Sequence, residues 1–149
     1  VLRGFLSAST PLDPSVGDEP ASMYDGLVLL WSDELLSAMR AAGVDNVEAY
    51  AAVLQDPRSG KQWPRYWAVN IVGLVASVDF DASGLASDPD ERGDLDPEWF
   101  VLDQKRADPF RLFRLAESPD LIFVDEQVRR AIESRGLSDL QFTRPGPSE

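Results

Sequence analysis

The residues best suited to chemistry lie between Asp79 and Glu98. Asp79-Phe-Asp81-Ala-Ser83-Gly84, continued by Ser87 and Asp90, sets oxygens at loop positions 1, 3, 5, 9 and 12, with glycine at 6. That is calcium-loop spacing: the glycine permits a sharp turn while hard oxygen donors close around the cation. The flanks argue against it. The preceding segment is β-branched and strand-like, Ala86 stands where a packing Ile or Val is usual, and Pro89 precedes an Asp rather than a bidentate Glu. A calcium-stabilised structural or interaction domain using Asp79–Asp90 is therefore the second reading of this stretch.

The same carboxylates could supply a glycosidase-like acid and base, for example Asp79 with Glu98. That chemistry needs a cleft and one raised pKa, whereas crowded acids in a hydrophilic loop are more often solvated. No catalytic residue is assigned. The chain has no histidine and no cysteine. Ser-His-Asp and Cys-His mechanisms, disulfides and zinc-thiolate sites therefore cannot be built from it. It also lacks GxxxxGK[ST] and GxGxxG phosphate loops. The reading is non-enzymatic, with no cofactor and no metal assigned.

Binding is the better use of these groups. Formal net charge is −12, and residues 79–98 alone carry −7. Such a field repels nucleic acid and anionic membranes and favours a basic partner. Asp79, Asp81, Asp88, Asp90, Glu91, Asp94, Asp96 and Glu98 are the partner-binding candidates. A second cluster sets Trp63, Arg65 and Tyr66 beside Lys61 and Trp67; Trp and Arg dominate interface hot spots. Alternation sends Trp67 to the core and Tyr66 to the surface. Arg111 and Arg114 are expected on the outer face of a hairpin strand.

The elements that position these groups announce themselves by repetition. Residues 28–48 (VLLWSDELLSAMRAAGVDNVE) and 121–141 (LIFVDEQVRRAIESRGLSDLQ) align without a gap at an offset of 93. Ser32 maps on Asp125, Leu35 on Val128, Met39 on Ile132, Gly43 on Gly136 and Val47 on Leu140. Each copy reads as apolar run, helix cap, amphipathic helix, glycine stop and extended run. The helices span Ser32–Ala42 and Asp125–Arg135. Between them, Val47–Leu54 is extended, 56–60 is a turn, and Tyr66–Phe80 is one long strand bent at Gly73. Trp99–Asp103 and Phe110–Leu115 form a hairpin. Residues 1–26 are an extended arm or coil, 27–143 the domain and 144–149 a tail, in a single domain of 149 residues. The fold class is α+β: a mixed, mostly antiparallel sheet with two main helices, each in a strand–helix–strand corner. The longest apolar stretch, 68–78, falls well below the roughly 20 residues of a membrane helix. No basic-then-apolar secretory signal opens the sequence.

The order of segments carries a resemblance. YWAVN, with Tyr66 and Asn70, runs into VDFDAS; then come WFVLD, LFRL, LIFVDE and a helix ending RGLSDLQF. Upstream, a WSDELLSAM helix precedes VEAYAAVL. Over residues 27–143 this resembles the Imm11-type immunity proteins of bacterial polymorphic toxin systems. Gly136-Leu137-Ser138-Asp139 departs from the Gly-Leu-Thr-Gly ending associated with such proteins. The resemblance implies a cytoplasmic protein that binds and neutralises a toxin domain, without catalysis or cofactor.

Overall fold

The computed structural model describes residues 3–8 and 20–146. In chain order it runs β1 (Arg3–Ala8), β2 (Met23–Asp25), β3 (Leu29–Ser32), α1 (Asp33–Ala41), β4 (Val47–Gln55) and β5 (Gln62–Ile71). The chain continues with β6 (Leu74–Val75), β7 (Val78–Asp79), α2 (Phe80–Ser83), α3 (Pro89–Arg92), β8 (Val101–Leu102) and α4 (Gln104–Ala107). It closes with β9 (Leu112–Leu115), β10 (Ser118–Asp125), α5 (Glu126–Ser134) and β11 (Leu140–Thr143). A five-stranded sheet has the order β11-β1-β10-β9-β6, a four-stranded sheet β2-β3-β5-β4, and β7 pairs with β8. All pairings are antiparallel except β6 with β9. The α+β class holds.

Both repeat copies fold as expected at their caps. Ser32 Oγ accepts from Leu35 N at 3.2 Å, and Asp125 Oδ1 accepts from Val128 N at 2.9 Å. Gly43 and Gly136 end the helices at φ +87° and +71°, a backbone region that disfavours any Cβ. α1 buries Leu35, Leu36, Ala38 and Met39; α5 buries Val128 and Ile132. The two helices pack on each other, and their apolar stripes share one core with Leu6, Trp31, Val69, Ile122 and Val124.

Each corner is a split crossover. β3 and β4 both pair antiparallel with β5, which lies between them; β10 and β11 both pair antiparallel with β1. The register is the same in both units. Leu29, Trp31, Ser32 and Val47 face Val69, Trp67, Tyr66 and Ile71, while Ile122, Val124, Asp125 and Leu140 face Leu6, Gly4, Arg3 and Ala8. The flanking strands thus keep the 93-residue offset. The central strands are related by 63 residues in the opposite direction, Arg3 standing where Tyr66 stands and Gly4 where Trp67 stands. The first unit takes its middle strand from downstream, the second from the start of the chain. Residues 1–26, expected as arm or coil, therefore contribute the middle strand of a sheet at Arg3–Ala8 and an edge strand at Met23–Asp25; 9–19 lie outside the described residues.

Two further expectations change. The long strand over Tyr66–Phe80 breaks after Ile71, where the chain leaves one sheet for the other. Asn46 holds this crossing, donating from Nδ2 to Val72 O at 3.1 Å and to Leu112 O at 2.8 Å. A Cβ at Gly73 would lie 3.1 Å from that Nδ2, so the glycine permits the close passage. The 99–115 hairpin does not form. β8 joins β7, β9 joins β10 and β6, and Asp103 caps the short helix α4 by accepting from Lys105 N and Arg106 N.

β10 is buried from Leu121 to Asp125 because it is covered on both faces. Ile122 and Val124 enter the helix-side core. Leu121 and Phe123 join a second core with Val78, Phe100, Leu102 and Phe113. There Phe113 stacks on Phe123 at 5.7 Å, and Phe100 meets Phe123 edge-on at 6.1 Å.

An acidic lobe, a bulged edge and an arginine-lined cleft

The acidic stretch is built on the second core. Phe80, Leu85 and Leu95 pack against it, and Arg92 reaches back over the Phe80 ring at 5.0 Å while donating to Ser87 O at 2.6 Å. The carboxylates divide into two groups. Asp79 accepts from Ala82 N and Asp88 from Asp90 N, capping α2 and α3; Asp96 accepts from Glu98 N. Asp81, Asp90, Glu91, Asp94 and Glu98 stand exposed on the lobe. Asp79, the first residue of the calcium-loop spacing, is the N-cap of α2, and among the described residues no group of three or more Asp, Glu, His or Cys side chains is placed to hold a metal.

The aromatic cluster is split by a bulge. Between Ala52/Tyr66 and Leu54/Trp63 the β5 strand carries one extra residue, and Arg65 adopts φ +77°, a strained value for a residue with a side chain. Trp63 is half-buried with Lys61 Nζ 5.1 Å from its ring centre, and Arg65 is exposed. Tyr66, expected at the surface, is only 6% exposed. Its hydroxyl donates to Ala21 O at 2.6 Å and its ring meets Tyr24 at 6.1 Å. Burial, and to a smaller extent the neighbouring Tyr24 and Asp139, push its pKa above the usual tyrosine range. Trp67 packs against the core and donates from Nε1 to Asp33 Oδ1 at 2.9 Å.

The sequence reading missed the third feature. Arg3 is 5% exposed and donates from Nη2 to Ala107 O at 2.7 Å and to Phe110 O at 2.8 Å. Its Nε and Nη1 are buried without a hydrogen-bond partner. Burial lowers its pKa, opposed by the charges of Asp125 and Asp108. Asp125 faces Arg3 in the register but has both oxygens engaged: Oδ1 caps α5 and Oδ2 accepts from Arg111 Nη1 at 3.3 Å. Arg3 is among the residues that line two clefts. One, of about 270 Å³, is lined by Arg3, Gly4, Val124, Glu126, Phe142 and Arg144 among others; the second, of about 580 Å³, includes Asp108, Arg111 and Arg130. Arg111 also bonds Gln127, which places it at the mouth of the cleft rather than on a hairpin face. Arg114 donates to Pro119 O at 2.8 Å.

Fold and surfaces together define an α+β protein whose charged groups are displayed on a fixed scaffold. The chain belongs to the Imm11 immunity protein family, whose model matches residues 8–146. Membership implies a toxin-immunity role with a toxin protein as partner. Comparison with curated proteins gives no match. No helix among the described residues is long and apolar enough to cross a membrane.

Proposed function

We propose that this protein acts without catalysis in the bacterial cytoplasm, binding and neutralising a cognate toxin domain through its acidic lobe. The supporting observation is the exposure of Asp81, Asp90, Glu91, Asp94 and Glu98 on a lobe anchored by Phe80, Leu85 and Leu95. A carboxylate field on a fixed support steers a basic partner and meets it with little ordering cost. A basic enzyme such as a nuclease fits that field. Asp79, Asp88 and Asp96 serve chiefly to shape the lobe, and Trp63 with Arg65 form a secondary anchor. Tyr66, being buried, supports that anchor from behind rather than touching the partner.

The test uses the toxin domain encoded beside this chain. Replacing Asp90, Glu91 and Asp94 together by lysine leaves the caps intact. Association should slow roughly tenfold at low ionic strength and lose most of its salt dependence. Unchanged association kinetics in that variant would remove the acidic lobe from the mechanism.

A further inference from the structure

β4 is an edge strand, bonded on one side only, to β5. Its nine residues make the longest free sheet edge among the described residues; β2, β6 and β11 have three, two and four. The ladder fixes which backbone groups are spare. Val72 N donates to Asn46 O at 2.8 Å just before β4, and Asp56 N to Lys61 O at 2.9 Å just after it. Bonded and non-bonded pairs alternate in an antiparallel ladder, so the even-numbered residues of β4 bond to β5. The parity survives the bulge because the extra residue lies on β5. The N–H and C=O groups of Val47, Ala49, Ala51, Val53 and Gln55 therefore point outward, and they have no backbone partner among the described residues.

Exposed edges of this length are normally guarded by lysine, proline or a bulge. β4 (VEAYAAVLQ) has neither lysine nor proline and a single charge, Glu48; Pro64 and the bulge sit on β5. Two of its apolar side chains lie open, Tyr50 at 63% and Val53 at 59% exposure, on opposite faces. Charge selects the occupant. Asp45 and Glu48 stand exposed at the start of β4, whereas Arg58, Lys61 and Arg65 stand exposed around its far end, against the one carboxylate of Asp56. An antiparallel copy of the same strand brings the acidic end of each beside the basic end of the other; a parallel copy would set like charges together. Two-fold pairing about Ala51 matches the whole strand. It sets Tyr50 of one copy opposite Ala52 of the other, Val53 opposite Ala49 and Glu48 opposite Leu54. Tyr50 and Val53 each meet a small residue, and no like charges oppose.

We propose that two copies of this protein associate through β4, joining their four-stranded sheets into one continuous sheet across a two-fold axis. The pairing uses no residue of the acidic lobe and stands independently of toxin binding by that lobe.

Sedimentation of the full chain from about 1 to 200 μM should show a reversible monomer–dimer equilibrium with Kd below about 100 μM. Ala51→Pro removes the outward N–H at the axis and leaves the bonds to β5 in place, a position where edge strands tolerate proline. It should weaken dimerisation roughly tenfold or more with an unchanged circular dichroism spectrum. Val53→Lys, at an exposed side chain, should weaken it as well, and decides the matter if the proline variant fails to fold. The register is read separately. The chain lacks cysteine, so Gln55→Cys accepts one nitroxide per copy. Pairing about Ala51 separates the two labelled backbones by roughly 27 Å, the length of about eight strand residues. The proposal is overturned by a monomer throughout the range, by a dimer indifferent to both substitutions, or by labels that lack this spacing. A monomeric wild type whose toxin binding is lost in Ala51→Pro also overturns it, and gives the edge to a strand of the toxin.

Discussion

The first and second units share helix caps, glycine stops and strand register, but one is filled and neutral where the other is open and charged. Ser32 and Tyr66 face each other in the first; Asp125 and Arg3 face each other in the second. Trp31 and Trp67 close the first from within, whereas Val124 and Gly4 leave a cleft in the second. A repeated scaffold needs its helix stripes and caps in both copies, because both helices bury residues in one shared core. The residues beside the helix starts carry no such double duty. They are free to diverge, and that is where the units differ.

The comparison can be broken most severely at Trp31, which is fully buried. Trp31→Ala should cost about 3–5 kcal/mol in urea unfolding, since the surrounding core cannot collapse into the space of an indole. A cost below about 1 kcal/mol would mean that the first unit is not closed by this side chain.

The two caps provide a sharper contrast. Ser32→Ala removes one neutral acceptor and should cost about 1 kcal/mol. Asp125→Ala removes the equivalent cap and also leaves Arg111 and the buried Arg3 without their neighbouring charge, so about 3 kcal/mol is expected. Equal losses in calorimetry at neutral pH would show that the Asp125 charge adds nothing to its capping role.

Tyr66 provides the finest test. Tyr66→Phe should cost about 1 kcal/mol at neutral pH by removing the bond to Ala21 O. The folded pKa is raised, so the protonated phenol contributes stability that is complete below the unfolded value of about 10 and is lost as pH rises beyond it. Wild-type stability should therefore fall more steeply above pH 10 than that of the phenylalanine variant. Parallel pH profiles would contradict the buried phenol.

Much of the scaffold was legible because its signals are local. The Ser32 and Asp125 caps, the 3.6-residue apolar stripes and the two glycine stops all act within a few residues of themselves. The candidates on the acidic lobe were also legible as a charge concentration, and their exposure follows from it. Tyr66 was misplaced because the bulge at Arg65 and the covering segment around Ala21 and Tyr24 cannot be read from alternation. The strand at Arg3–Ala8 was missed since six residues beside a Pro- and Ser-rich stretch show no period of their own. Arg3 consequently escaped notice: one arginine in an apparent arm carries no signal until its strand is paired.

By itself, then, the sequence determined two capped helices, the offset that relates them, the concentration of charge between them and the absence of histidine and cysteine chemistry. These are properties of short segments or of composition. Only the tertiary structure decided that Arg3–Ala8 completes the second unit, that Gly4 takes the place of Trp67, and that a buried guanidinium is left short of acceptors. Those facts depend on strand pairing across more than a hundred residues, where register selects the neighbours and local chemistry has no part in the choice.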